Sequence, residues 1–135
     1  MLLAVDTSAL VRRYVRAADH GLVTEAMAET EVWCASALAR AEALQALHRV
    51  AVSRAQHDRL WSALRADWDR FHVVPLDDRC LADAVEIGST FRLRSVDAIH
   101  LAAAARLPRP VRYLTLDRRQ IPAAAALGLE VVAPT

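Results

Sequence analysis

Four acids in this chain, Asp6, Glu42, Asp97 and Asp117, fall where carboxylates can be brought to one place. Asp6 closes the apolar run of residues 2–5, and Asp117 closes "VRYLTL". Glu42 lies in "SALARAEALQALHR" and Asp97 in "RSVDAIHLAAAA", both rich in the strong helix formers Ala and Leu. Carboxylates gathered together repel one another, which raises their pKa unless a cation neutralises them. Hard oxygen ligands of this kind suit Mg²⁺ or Mn²⁺. One or two such ions activate a water and stabilise the oxygens of an in-line phosphoryl displacement.

Each acid also has a purely structural reading. Asp is a good N-cap, and a helix is expected just after Asp6. Asp117-Arg-Arg-Gln120 approaches a capping box, with Gln at the third helical position. With Ser95 as the cap, Asp97 falls in the first turn, facing the positive end of the macrodipole. It nevertheless shares a helix side with Leu101 and Ala104, and an unpaired carboxylate turned toward apolar surroundings is costly. Glu42 is mid-helix, so no cap explains it. It sits on the flank of an expected apolar stripe through Ala37, Ala41, Leu44 and Leu47, where a solvated acid or a surface pair with an Arg is equally admissible. Singly the acids are ambiguous; the set is more informative.

The elements that would carry them alternate. Strands are expected at 2–5, 31–35, 72–76, 111–116 and 129–133, with Pro75 marking an end or an edge. Helices are expected at 8–17, 22–29, 37–54, 57–70, 78–91, 95–107 and 118–127. This order implies an α/β fold: a mainly parallel sheet of about five strands, with helices on both faces. In such sheets chemistry collects at the carboxyl ends of the strands, where Asp6 and Asp117 stand. At 135 residues the chain reads as one domain, 1–135, with 55% hydrophobic and 5% aromatic residues. A net charge of +1 excludes a general basic field for nucleic acid, although all 17 basic residues are Arg, whose planar fork suits phosphate. Cys34 and Cys80 are isolated, without metal-binding spacing; Cys34, in the apolar "VWCAS", reads as a core residue, and a reducing cytoplasm is the expected setting. No leader pattern is expected, and no run approaches the ~20 apolar residues of a membrane span.

These segments resemble the PIN-domain ribonucleases, and more narrowly the VapC-type toxins of bacterial toxin–antitoxin pairs. "VDTSALVRRYV" is similar to the family's opening strand and helix, "ASALARAEALQAL" to its glutamate segment, "LRSVDAIHLAAAA" to its third acidic motif and "YLTLD" to its fourth. "AAALGLEVV" resembles its usual ending. The resemblance implies a PIN-like three-layer α/β/α domain. It also implies that Asp6, Glu42, Asp97 and Asp117 form the catalytic, metal-binding quartet for Mg²⁺ or Mn²⁺. Asp6 and Asp97 would be direct ligands, Glu42 a ligand or a water-mediated orienter, and Asp117 the residue completing the cluster. Ser8 and Thr115, near the two strand-end acids, would supply outer hydroxyl bonds that orient ligands; local backbone capping is their other reading. His100 matches the family's pattern as an outer-shell, core or catalytic residue. After Asp117 the chain reads "RRQIPAAA", where many relatives carry a different polar or aromatic continuation, a departure that bears on substrate contacts.

For an RNA substrate, with tRNA and rRNA as candidates, Arg12, Arg13, Arg16, Arg40, Arg118 and Arg119 lie near the acids in sequence, and of these Arg12, Arg13, Arg40 and Arg118 are the expected phosphate contacts. Trp33, Trp61 and Trp68 read as packing residues. The resemblance further implies a homodimer and a cognate VapB-type antitoxin that wraps a groove formed by the early helices. Two competing readings are a catalytically inactive PIN-like binding module and a phosphatase of the haloacid dehalogenase kind. The complete quartet argues against the first, and Ser8, where a second acid would be needed, against the other.

Overall fold

The apolar run after Met1 forms β1 (Leu2–Val5), the middle strand of the sheet in this computed structural model, which describes residues 1–135. It pairs in parallel with β2 (Val32–Ser36) on one side and β4 (Val111–Leu114) on the other. Beyond β2 lies β3 (His72–Val74) and beyond β4 lies β5 (Glu130–Val132), both parallel, giving the order β3-β2-β1-β4-β5. Pro75 follows the last residue of β3, an edge strand, where a missing N–H costs the ladder nothing. From β1 the chain works outward to β3 and then crosses to β4. The direction of strand addition therefore reverses between β1 and β4, which opens a crevice at their carboxyl ends.

Strand alternation sorts β1 between two cores. Leu3 and Val5 face a cluster with Leu10, Met27, Leu47 and Leu64. These come from α1 (Thr7–Tyr14), α2 (His20–Ala28), α3 (Ala37–Val50) and α4 (Arg54–Trp68). Ala4 faces the opposite cluster, where Cys80, Leu101 and Ala124 come from α5 (Asp78–Phe91), α6 (Ser95–Ala105) and α7 (Ile121–Ala126). The result is the three-layer α/β/α arrangement. Cys34 and Cys80 are both free and buried, and burial pushes the Cys34 thiol up to about 11.

Three local expectations need correction. The expected 118–127 helix is divided into a 3₁₀ turn (Arg118–Gln120) and α7, which has Pro122 in its first turn. Ser95 is the first helical residue of α6 and not its cap. Arg94 holds the cap position without a capping bond and sends its guanidinium to Asp97 instead. The buried face of α3 runs through Ala39, Ala43 and Leu47, while Ala37 and Ala41 are exposed. Alanine at every odd position from 37 to 43 gives that helix little polarity, so packing chooses the face. The chosen face sets Glu42 beside the buried row.

Candidate active site

Asp6 stands at the carboxyl end of β1 and caps α1, accepting from the Ala9 amide at 3.0 Å. The same Oδ1 accepts from the Ser8 hydroxyl at 2.7 Å. Its Oδ2 accepts from the Thr115 hydroxyl at 2.7 Å and from Gln120 Nε2 at 3.0 Å. The residue is 1% exposed, and burial raises its pKa against the opposing effect of these bonds. Capping and membership of an acid cluster are thus one geometry: the turn from strand to helix aims the carboxylate. Ser8 and Thr115 also tie the two strand ends together, since Ser8 Oγ accepts from the Leu116 amide and Thr115 Oγ1 from the Asp117 amide.

Asp97, in the first turn of α6, is 5% exposed. It takes a two-pronged contact from Arg94, at 3.0 Å to Oδ2 and 3.3 Å to Oδ1. Gln120 Nε2 reaches Oδ1 at 3.3 Å, and Arg119 Nη2 lies 3.9 Å from Oδ2. Glu42 projects from α3, its Oε1 accepting from Thr7 Oγ1 at 2.6 Å and lying 2.6 Å from His100 Nε2. The His100 bond is the main cause that lowers the Glu42 pKa, with Thr7 adding to it and burial opposing. His100 is buried, its other nitrogen 3.1 Å from Ser36 Oγ, so the imidazole is a strut between β2 and Glu42.

Asp117 follows β4 and caps the 3₁₀ turn through the Arg119 amide. The Arg119 side chain grips it with two bonds of 3.0 Å, which hold its carboxyl below the ordinary range. The capping box does not form as the spacing suggested. Gln120 turns away into the interior, where its Oε1 accepts from Tyr113 at 2.6 Å.

A cleft of about 460 Å³ opens onto all four acids, together with Thr7, Ser8, Arg12, Arg94, His100 and Gln120. A cavity of similar size, about 450 Å³, between α5 and α6 is lined by residues such as Leu81, Val85 and Ile99 and holds no ionisable side chain. Of the four arginines expected at the substrate, the structure brings only Arg12 to the cleft. One of its guanidinium nitrogens bonds the Ala18 carbonyl, and its Nε is buried without a partner. Arg13 turns the other way, 2.9 Å from Asp67 and over the Trp33 ring at 4.8 Å, because that pair and the indole satisfy it. Arg40 is exposed on α3, and Arg118 is exposed and reaches the Thr135 carbonyl. Sequence reasoning missed Thr7, Arg94 and Gln120 as parts of the site. Their signal was adjacency to the acids, at one residue from Asp6, three from Asp97 and three from Asp117.

No three of the acids stand close enough together in this arrangement to grip an ion. The chemistry of the donor set nevertheless fits a hard divalent cation. Its ligating atoms are all carboxylate oxygens, and four acids face two arginines in the cleft lining. Asp6, the most buried acid, makes no ion pair with Arg and is held only by hydroxyl and amide donors.

The chain matches the PIN domain family over residues 3–127, a span that contains all four acids. Ribonuclease VapC46 of Mycobacterium tuberculosis is 34% identical to it over 132 residues, 97% of this chain and 96% of that protein. Among solved structures, VapBC-5 of Mycobacterium tuberculosis, a member of the VapBC family of toxin–antitoxin systems, superposes with a TM-score of 0.65 at 17% identity, covering 98% of each chain. VapBC2 from Rickettsia felis, bound to a DNA fragment from its promoter, gives 0.70 at 14% identity, with 97% and 98% covered.

Proposed function

The chain belongs to the PIN-domain family and, within it, to the VapC type, and from that premise we propose that it is a Mg²⁺- or Mn²⁺-dependent endoribonuclease toxin restrained by a cognate VapB-type antitoxin. The observation that carries this reading is the convergence of four acids on one cleft at the switch point of a parallel sheet. The most buried of them lacks an arginine partner.

Asp6 and Asp97 are the direct metal ligands, Glu42 a ligand or the holder of a bound water, and Asp117 the residue that completes the cluster. Bound metal supplies a water of lowered pKa and neutralises charge on the phosphoryl oxygens. The chain's own residues prepare the site. Thr7 and His100 keep Glu42 ionised and aimed into the cleft. Ser8 and Thr115 fix both oxygens of Asp6. Arg12, whose side chain lines the cleft, holds a backbone phosphate of the RNA. Structured RNA, tRNA or rRNA, is the substrate class, and a homodimer is the working form. Likeness to a toxin–antitoxin protein supports the antitoxin partner.

Purified chain freed of antitoxin is expected to cut RNA with Mg²⁺ or Mn²⁺ and to stop when the metal is chelated. Asp6→Ala and Asp97→Ala are expected to lose cutting while keeping the native circular dichroism spectrum. Failure to cut any tRNA or rRNA with either metal would overturn the reading in favour of an inactive binding module.

A further inference from the structure

Asp6 and Asp97 reach the cleft from different layers, one from the middle strand and the other from α6, yet both are buried. Two carboxylates so placed need something between them. Here it is a neutral group: the carboxamide of Gln120, 1% exposed, gives one Nε2 hydrogen to Asp6 at 3.0 Å and the other to Asp97 at 3.3 Å. Both carboxylates can only accept, so the NH₂ end must face them and the oxygen must face away. On that far side the buried Tyr113 hydroxyl donates to Oε1 at 2.6 Å, which locks the same orientation. Burial and the nearby acids hold the Tyr113 pKa well above its ordinary value, so the phenol stays a donor.

Neither an acid nor an apolar residue meets these demands at position 120. A Glu there adds a third negative charge. A Leu or Met leaves both carboxylates and the phenol without this partner, and buried polar groups stripped of partners are costly. We propose that Gln120, keyed by Tyr113, is a positioning residue for the metal centre, cross-linking Asp6 and Asp97 so that both ligands are already aligned before an ion arrives. The inference rests on the metal-dependent reading of the cleft. It concerns two residues that lie outside the acid quartet and face each other across the end of β4.

The test is Mn²⁺ binding by the full chain, read from the electron paramagnetic resonance signal of free Mn²⁺, alongside metal-free thermal melts. Gln120→Met is expected to weaken binding by about 10- to 100-fold, the usual effect of losing a partner that orients metal ligands. Tyr113→Phe keeps the ring and is expected to weaken it by about 2- to 10-fold, the worth of one hydrogen bond. Should Gln120→Met fail to fold, Tyr113→Phe decides. If Tyr113→Phe melts at a lower temperature yet binds Mn²⁺ as tightly as the unaltered chain, the role is structural and the inference falls. The same holds for a folded Gln120→Met with unchanged binding. Absence of Mn²⁺ binding in the unaltered chain would overturn the metal-dependent reading as well, which separates the two failures.

Discussion

The carboxyl ends of β1 and β4 each present an aspartate to the same cleft, and the two are kept in opposite electrostatic states. Asp6 is buried and held by neutral donors, and its pKa is raised. Asp117 is more open, gripped by the Arg119 guanidinium, and its pKa is lowered. Neutral hydrogen bonds orient a buried carboxylate but leave its charge uncompensated. An arginine compensates the charge and, in doing so, uses up the oxygens. The β1 end is therefore the one that gains most from a cation, and the β4 end already has one.

The largest expected effect is on RNA cutting. Asp6→Ala should lower the rate by more than about 100-fold, beyond the loss typical of an outer partner, while Asp117→Ala should stay nearer 10-fold. Equal losses in a quenched-fluorescence cleavage assay would erase the contrast. Thr115→Val touches both ends, removing a donor to Asp6 and the acceptor for the Asp117 amide. Calorimetric Mg²⁺ titration should show about a 10-fold weaker affinity for it.

Next in size is the removal of the built-in counter-ion. Arg119→Gln should let the Asp117 pKa climb back toward its ordinary value, followed by carboxyl ¹³C shifts. A pKa that stayed low would show that Arg119 is not its cause. In the same titration Asp6 should lie above the ordinary carboxylate range, and Glu42 and Asp117 below it.

These directions fix the sign of the pH dependence of the metal-free chain. Glu42 and Asp117, with folded pKa values below their unfolded ones, stabilise the fold above the unfolded value. Their contribution is lost as pH falls through the folded one. Asp6 opposes them, since its ionisation disfavours the fold and that penalty grows as pH rises from its unfolded pKa to its raised folded one. Glu42→Gln should accordingly flatten the acid side of the stability curve measured by urea unfolding. The smallest effect is expected at Arg13→Ala. It should leave cutting unchanged and cost roughly 1 kcal/mol of stability, because its ion pair with Asp67 is partly exposed and lies away from the cleft.

The order and type of the elements could be read along the chain because β1, α5 and β4 carry periodicities that tertiary contacts had no reason to override. Asp6 was legible as a strand-end acid for the same reason. Alanine-rich α3 was not, since a run of small side chains suits any face, and the row through Ala39, Ala43 and Leu47 was chosen by the layer it packs against. Ser95 as a cap failed for a related reason: the pattern was right, but a neighbouring side chain found a stronger partner.

What sequence alone established was local: which segments are strands and helices, that the sheet is mainly parallel, and which four acids are candidates for the cleft. Those rest on propensity, alternation and resemblance, all carried by short stretches of chain. The partners of the acids were settled by the fold, because Gln120 meets Asp6 and Asp97 from 114 and 23 residues away, and His100 meets Glu42 from 58. So too was the division of the arginines, with Arg12 in the cleft and its neighbour Arg13 on Asp67. Consecutive residues on a helix point about 100° apart, and only the packing of α1 against its neighbours decides which of them looks into the site.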